Sequence, residues 1–156
     1  MAVRRGARRA RRPGLSILLH IVARGRIGRS PEAELVDRYL KRIAWPTRVT
    51  ELPDAGGRMP ALEPQTRRVL LDEKGEVLGS LDFAHRLERW RDDGVREARF
   101  LIGAADGFGD AERAEADLLL SFGRATWPHL LARAMLAEQL FRATSILAGH
   151  PYHREG

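Results

Sequence analysis

Short apolar segments alternate along this chain with longer segments in which apolar residues recur every three to four positions. The first apolar run, 15–22, has the length of a buried strand. Four later segments also have strand character, at 47–52, 68–72, 99–102 and 118–122. Helical patterns occupy the intervals at 31–43, 80–92, 110–116 and 129–148. This alternation predicts an α/β fold, a single-domain parallel-sheet sandwich.

Residues typical of helix ends and turns mark the boundaries of these segments. Ser30 before Pro31 favours a helix start, because Ser caps free amides and Pro fits the first helical position. We expect Ser80 and Asp110 to cap the next two helices, and Gly94 to end one of them. Two segments are predicted to be irregular, the Pro- and Gly-rich stretch 53–64 and a turn at 73–76.

The last predicted helix is apolar on nearly all sides. Its polar positions are few: Glu138, Arg142 and Ser145 form one narrow stripe, and Arg133 and Gln139 lie elsewhere. A helix of this kind is buried on several sides. A domain of 156 residues cannot easily bury it alone, so we expect a partner subunit, in a two-fold homodimer.

The positive charge of the chain is concentrated in its first 13 residues. Six of the 27 Lys and Arg residues lie there without any acid, and the 21 that remain equal the 21 Asp and Glu residues. We therefore divide the chain into a disordered basic arm, 1–13, and a neutral domain, 14–156. The arm could bind RNA phosphates by releasing counterions. A solvated tail, or a start codon assigned too far upstream, would give the same composition.

The remaining composition excludes several classes of protein. There is no Cys, so disulfides and thiolate metal sites are absent, and the five His show no metal-ligand spacing. No apolar run approaches the roughly 18 residues of a membrane span. The Arg-rich start lacks the apolar stretch of a secretory signal. We expect a cytoplasmic protein that binds neither metal nor membrane.

Two irregular segments follow predicted strands and carry features of a ligand site. The turn 103–107 begins and ends with Gly, and the loop 122–128 contains Gly123, Trp127 and Pro128. Ligands of parallel sheets bind at the carboxyl ends of strands, and glycine lets backbone amides approach them closely. Both segments could be ordinary connections. Together they would form a cleft for a cofactor with an adenine ring.

The end of the chain is unusually rich in polar chemistry. Glu138 and Arg142 are spaced for an ion pair on one helix face, and a structural role is its simplest interpretation. Beyond them, His150, Tyr152, His153 and Arg154 could contact a nucleobase and phosphates, or could form a polar tail in solvent. Pro151 prevents the last helix from continuing, so we expect the residues after it to lie on an extended segment.

Several of these motifs resemble one family of enzymes. They are Leu101-Ile102-Gly103, Trp127-Pro128-His129, the helix segment 137–143 and the terminal His150-Pro151-Tyr152-His153-Arg154-Glu155. These residues are similar to those of the RlmH family, the pseudouridine N3-methyltransferases of large-subunit ribosomal RNA, which are small members of the SPOUT class. The resemblance covers 15–155. It implies a C-terminal trefoil knot, a homodimer, S-adenosyl-L-methionine as cofactor and 23S ribosomal RNA within the ribosome as substrate.

The resemblance also implies roles for individual residues. The residues expected to bind the cofactor are Leu71, Gly103, Phe122, Gly123, Arg124, Ala125, Thr126 and Trp127. The candidate catalytic residues are His129, Arg142, Tyr152, His153 and Arg154. Either His could accept the N3 proton, since an unperturbed imidazole titrates near pH ~6.5, and either Arg could stabilise the resulting charge or hold a phosphate. Tyr152 could stack on a splayed-out base.

One departure from the family pattern keeps an alternative open. Ala104 stands where the family usually has a second Gly, and its methyl group could weaken cofactor binding. A non-catalytic ribosome- or RNA-binding dimer of the same fold is therefore the second hypothesis. A generic nucleotide-binding α/β enzyme would need a phosphate loop, which this sequence lacks.

Overall fold

The computed structural model describes residues 16–104, 106–150 and 152, and the predicted basic arm lies outside them. Over these residues the chain forms the five strands and four helices expected from the sequence. In chain order they are β1 (Leu18–Arg24), α1 (Pro31–Arg42), β2 (Thr47–Leu52), β3 (Thr66–Val77), α2 (Ser80–Asp92), β4 (Glu97–Ile102), α3 (Asp110–Glu115), β5 (Leu118–Ser121) and α4 (His129–Leu147). None of the helices within this part of the chain is long and apolar enough to cross a membrane.

The five strands form one sheet in the order β2-β1-β4-β3-β5, and every neighbouring pair is parallel. The predicted parallel α/β sheet is therefore confirmed. Since all strands run in one direction, their carboxyl ends meet at a single edge, where the loops that follow β1, β3, β4 and β5 come together. β4 is the central strand, and β3 lies between β4 and β5, both of which come later in the chain.

The larger core lies on one face of the sheet, under α1, α2 and α4. Inward-facing residues such as Ile21, Val69 and Phe100 pack there against Leu87 of α2 and Leu136 of α4, all fully buried. Burying one such side chain contributes roughly 1.5–3 kcal/mol. A smaller core on the opposite face includes Val22, Leu70 and Leu101, and the segment around α3 covers it through Phe108 and Ala116.

Helix α4 is buried on two sides within the single chain. Leu136 and Leu140 face the sheet, and Ala134 and Ala137 pack against α1. The outward face of α4 consists of half-buried residues: Leu131, Met135, Glu138 and Arg142. The expected burial of α4 on several sides is confirmed, and this outward face is the part that the chain itself leaves partly open.

Three local predictions are wrong in detail. Ser80 and Asp110 are the first residues of their helices, and Gly79 and Gly109 hold the capping positions. At the second cap, the Glu112 carboxylate accepts a hydrogen bond from the Gly109 amide at 3.2 Å. The predicted turn at 73–76 falls inside β3, which continues to Val77 after an irregular stretch.

A polar network is buried on the second face of the sheet. The ring of His20, 1% exposed, lies between Glu97 (Nδ1 to Oε2, 2.8 Å) and Thr50 (Nε2 to Oγ1, 2.7 Å). Arg99 donates to the same Glu97 oxygen at 2.8 Å and to the carbonyls of Pro60 and Ala61. Through Arg99, this network holds the Pro-rich segment 53–65 against the second face of the sheet.

The network makes folding sensitive to acid. Burial lowers the pKa of His20 below its ordinary 6.5, because it outweighs the hydrogen bond with Glu97. Burial would raise the pKa of Glu97, but the hydrogen bonds from Arg99 and His20 outweigh it and the pKa is lowered. Near pH 6 the unfolded chain thus binds a proton on His20 that the folded chain does not. Stability is lost as the pH falls through 6.5.

We predict that the free energy of unfolding declines between pH 7.5 and 5.5, by at most about 1.4 kcal/mol per pH unit for one proton. His20→Gln keeps hydrogen-bonding groups but does not titrate, so its pH dependence should be flatter. Urea unfolding at several pH values measures both, with His85→Gln on the exposed face of α2 as the control. Equal slopes for wild type and His20→Gln would exclude His20 as the cause.

A cofactor-sized cavity at the carboxyl edge of the sheet

A cavity of about 770 Å³ opens at the edge where the strands end. Its walls come from the segment 71–74 of β3, the turn after β4, Arg113 of α3, the loop after β5 and the start of α4. This volume lies within the range of about 300–1,000 Å³ that cofactor and small-molecule sites occupy.

The first wall is a bulge in β3. Leu71 and Glu76 both pair with Leu120 of β5, so residues 72–75 leave the ladder and project beside the cavity. The bulge requires Gly75, because a Cβ there would lie 2.6 Å from the carbonyl carbon and oxygen of Leu119. Real Cβ atoms do not approach backbone this closely, so the contact between β3 and β5 admits only Gly at this position.

Asp72 anchors this bulge to α3. Its carboxylate accepts from Arg113 Nε at 2.6 Å and from the Lys74 amide at 2.9 Å, and its side chain is only 5% exposed. Burial would raise the pKa of Asp72, but these two donors outweigh it and hold the pKa below its ordinary value. Asp72 is therefore an ionised positioning group.

Further hydrogen bonds join the bulge to the loop after β5. The Thr126 hydroxyl donates to the Glu73 carboxylate at 2.7 Å, and the Ser121 hydroxyl, which is buried, lies 3.1 Å from the Glu73 carbonyl. The Gly123 amide donates to Ser121 Oγ at 3.0 Å. Two walls of the cavity are thus held at a fixed separation.

The wall after β4 leaves little room at Gly103. A Cβ at this position would lie 3.3 Å from both the Gly107 carbonyl oxygen and Phe108 Cζ. Ala104 also lines the cavity without closing it. Ala105 lies outside the described residues.

The start of α4 closes the cavity with Pro128, His129 and Ala132. His129 is exposed, and its Nε2 would lie 3.6 Å from a Cβ added at Gly25, so it faces the end of β1. One turn later, Arg133 is fully buried and pairs with Glu51. Within the part of the chain that is described, no group of three or more His, Asp or Glu side chains is placed to hold a metal ion.

The structure brings together most of the residues predicted to bind the cofactor. The cavity is lined by Leu71, Gly103, Phe122, Gly123, Ala125, Thr126 and Trp127. Arg124 is exposed and is not among the described lining residues. Among the candidate catalytic residues, His129 lines the cavity, whereas Arg142 and Tyr152 lie elsewhere. His153 and Arg154 lie outside the described residues.

Tyr152 does not lie on an extended segment, as the sequence suggested. Its backbone is helical, and its ring packs edge-on against Phe141 with centroids 4.7 Å apart. Its hydroxyl donates to Glu138 at 2.9 Å, and Arg142 lies over the ring at 4.9 Å. Burial, reinforced by Glu138 and Tyr39, raises the pKa of Tyr152 far above its usual range, so the phenol stays protonated.

Glu138 and Arg142 form an ion pair on one face of α4. Arg142 donates to Glu138 through Nη2 at 2.6 Å and Nε at 3.1 Å, and this pairing raises the pKa of Arg142. Both side chains are more than four-fifths buried. The contacts thus support the ion pair that the i, i+4 spacing indicated.

Several residues of the cavity did not emerge from the sequence. Asp72, Lys74 and Arg113 line it beside Phe108, and none of them was predicted to do so. Asp72 directly follows an apolar strand, which is a usable signal. No sequence signal marked Arg113, because it meets Asp72 only when α3 packs beside β3 in the folded protein.

Comparison with known proteins agrees with this fold. Residues 17–153 match the family model described as "Predicted SPOUT methyltransferase". A crystal structure of a probable methyltransferase from Bordetella pertussis has the same fold, with a TM-score of 0.54 and 12% identity over 84% of this chain and 96% of that one. The chain is thus a SPOUT-class methyltransferase.

The similarity to curated proteins is more specific. A protein of Rhizorhabdus wittichii is 78% identical over 140 residues, which cover 90% of this chain and the whole of that protein. Another from Sphingopyxis alaskensis is 69% identical over 90% of this chain and 99% of its own length. Both are named ribosomal RNA large subunit methyltransferase H. The chain belongs to this family, and the resemblance inferred from its motifs is confirmed.

We predict that Gly75→Ala destabilises the fold by about 1–3 kcal/mol, the usual range for overpacking, because the added methyl group must displace the backbone of β5. Urea unfolding measures the change. Gly79→Ala is the matched control, since a Cβ at Gly79 approaches no atom closer than 4.0 Å. Equal stabilities of the two variants would show that β3 and β5 are not in tight contact at Gly75.

We predict that Gly103→Val lowers the affinity for S-adenosyl-L-methionine by at least about 100-fold, or about 2.7 kcal/mol. The new side chain presses on Gly107 and Phe108 and projects its methyl groups toward the cavity. Calorimetric titration measures the affinity, with Gly79→Val as a control outside the cavity. Unchanged binding by Gly103→Val would remove Gly103 from the cofactor site.

Proposed function

We propose that this protein transfers the methyl group of S-adenosyl-L-methionine to N3 of a pseudouridine in 23S ribosomal RNA, on ribosomes in the cytoplasm. The observation that carries this proposal is the cavity at the carboxyl edge of the sheet. It contains seven of the eight residues that the family resemblance assigns to the cofactor. The names of the family's curated members support the substrate class.

The cavity fits an adenosyl cofactor in size and in wall chemistry. Gly103 and Gly123 allow close approach of the backbone, and Trp127, Phe122 and Leu71 supply apolar surface for a purine ring. Charged side chains at the rim, including Lys74 and Asp106, are available to the amino-acid part of the cofactor. The bound cofactor supplies an electrophilic methyl group on a sulfonium.

The chain's own residues must position the nucleotide and accept the N3 proton. His129 is the one imidazole among the described residues that line the cavity, and we assign proton transfer to it. Holding the two reactants in line supplies most of the rate, since good positioning is worth up to about 7–11 kcal/mol. Glu138 already neutralises Arg142, so Arg142 is placed to hold the tail through Tyr152.

We further propose a homodimer whose active sites combine two subunits. Tyr152 packs against residues 138–142 of α4, whereas the cavity touches α4 at residues 129 and 132. Nine residues of helix separate His129 from Glu138, which is about 13 Å. Tyr152 therefore lies away from the cavity of its own subunit. The half-buried outward face of α4 offers an interface through which it can serve the partner's cavity.

A trefoil knot at the carboxyl-terminal end completes this proposal. Its support is the order of the strands: β3 lies between β4 and β5, and α4 then returns to the face opposite α3. Single-molecule stretching tests it, because a knotted chain pulled from both ends stays shorter than its full contour length. An extension equal to the contour length would exclude the knot.

The direct test of the activity is methyl transfer to ribosomes from a strain that lacks the gene. We expect labelled S-adenosyl-L-methionine to modify one pseudouridine of 23S ribosomal RNA, identified by mass spectrometry of nuclease fragments. Cofactor binding without any transfer would favour a non-catalytic dimer of the same fold. Transfer to naked RNA alone would exclude the assembled ribosome as the substrate.

We predict that truncation after His150 reduces methyl transfer by at least about 100-fold, a typical cost of losing acid–base or charge-stabilising groups, while cofactor binding stays near normal. Mixing this variant with Gly103→Val tests the shared site. A mixed dimer pairs an intact cavity with the partner's intact tail, so activity should return. Each variant alone is the control. If mixing restores no methyl transfer, each cavity uses the tail of its own subunit.

A further inference from the structure

The connection between β1 and α1 carries three arginines in six residues, Arg24-Gly-Arg-Ile-Gly-Arg29. Arg24 is used within the fold, because it donates to the carbonyls of Pro53 and Gly56. Arg26 and Arg29 are exposed. We call residues 24–29 the basic turn. The family comparison assigns it no role.

The basic turn is held rigidly although it lies at the surface. The Gly25 amide donates to the Leu52 carbonyl at 2.8 Å, and the Ile27 amide donates to Glu51 Oε2 at 2.9 Å. Buried Arg133 reaches from α4 to the Gly25 carbonyl at 3.2 Å. At the far end, the Ser30 hydroxyl donates to the Ile27 carbonyl at 3.0 Å. Backbone bonds thus fix the turn between the two exposed arginines.

Two glycines give the turn its shape. Gly25 and Gly28 have φ values of +89° and +59°, which side chains rarely adopt. These conformations fold the chain sharply on either side of Arg26. A preorganised turn of this kind loses little conformational entropy when it binds a partner.

The basic turn lies at the cavity mouth. β1 is parallel to β3, β4 and β5, so its carboxyl end is on the same edge as the cavity. His129, which lines the cavity, approaches Gly25 closely enough to contact a Cβ there at 3.6 Å. Any nucleotide that enters the cavity near His129 carries its neighbouring phosphates past the basic turn.

Four acidic groups lie near the turn, but none of the ion pairs among the described residues involves Arg26 or Arg29. Glu51 is engaged by Arg133 and by the Ile27 amide, and these contacts, working against its burial, lower its pKa. Asp54 lies beside Gly25. Glu32 and Glu34 follow in the first turn of α1, where they face the positive end of the helix dipole.

We propose that Arg26 and Arg29 bind the phosphate backbone of the RNA on either side of the nucleotide that enters the cavity. This inference rests on the proposed function. Arginine suits the task, because its guanidinium donates two parallel hydrogen bonds to a phosphate. Such contacts position the substrate without reading its sequence.

The test compares three double variants of the full chain. Arg26→Ala with Arg29→Ala removes the proposed contacts, and Arg26→Lys with Arg29→Lys keeps their charge. Arg89→Ala with Arg96→Ala is the matched control, since both are exposed and lie toward the opposite edge of the sheet, at the end of α2 and just before β4. Three quantities are measured: cofactor affinity, the KM for unmethylated ribosomes and the salt dependence of equilibrium binding to those ribosomes.

We expect the alanine pair at 26 and 29 to raise the KM by about 10-fold or more, with cofactor affinity and kcat near wild type. Its plot of log binding constant against log salt should be less steep by about 1.4, since each contact to single-stranded phosphate contributes about 0.7. The lysine pair should keep most of the slope.

A KM and a salt slope equal to those of the Arg89 and Arg96 control would overturn the inference. The salt dependence of binding tests the basic turn even if the wild-type chain transfers no methyl group. A lack of methyl transfer would count against the proposed function and not against the basic turn. A fall in kcat with unchanged binding would also overturn it, because the turn would then act on the reaction rather than hold the substrate.

Discussion

The buried guanidinium of Arg133 is the interaction on which the arrangement of this molecule depends. It lies inside α4, 1% exposed, and reaches Glu51 of β2 and the carbonyl that follows β1. Arg133 is buried and Glu51 is one-third exposed, so removing Glu51 leaves a buried charge unpaired, which costs up to about 3–5 kcal/mol. The pair thus joins the last helix to the first two strands, which are distant in the sequence.

This ion pair also determines the position of one wall of the cavity. Because Arg133 fixes the first turns of α4, it also places His129 one turn earlier, at the cavity. The bulge of β3 does the same for the opposite wall, where Gly75 lies against β5 and Asp72 holds α3. Few of the cavity's side chains are themselves reactive. The fold contributes mainly by placing glycine-rich backbone and apolar rings at fixed separations.

The sequence predicted the elements well, because each has local signals. The strand at 47–52 and the helix that begins at Pro31 were placed to the residue. The strand order could not be obtained from periodicity, because an apolar pattern marks where a strand lies in the sequence and not which strand it pairs with. The turn at 73–76 was recognised as irregular, but its role as a bulge depends on β5, which is more than 40 residues away.

The candidate site was predictable only with the help of the family resemblance. Gly103 and Gly123 follow strands and were suspected on that ground alone. Leu71 is an ordinary strand leucine, and only similarity to known enzymes marked it. Tyr152 shows the opposite case, because Pro151 indicated a free extended tail. The Tyr152 ring instead packs against Phe141, and its hydroxyl donates to Glu138. Tertiary contacts overrode the local signal.

The position of β5 at the sheet edge has a consequence for how a ligand enters and leaves. This strand is four residues long and pairs on one side only, yet Leu120 and the residues that follow it form the cavity floor. Short edge strands open more easily than central ones, so their amides exchange with solvent first. A ligand held between β3 and the loop after β5 would tie this strand to its neighbour. We therefore expect occupancy of the cavity to be visible as slower hydrogen exchange in β5, with the rest of the sheet unchanged.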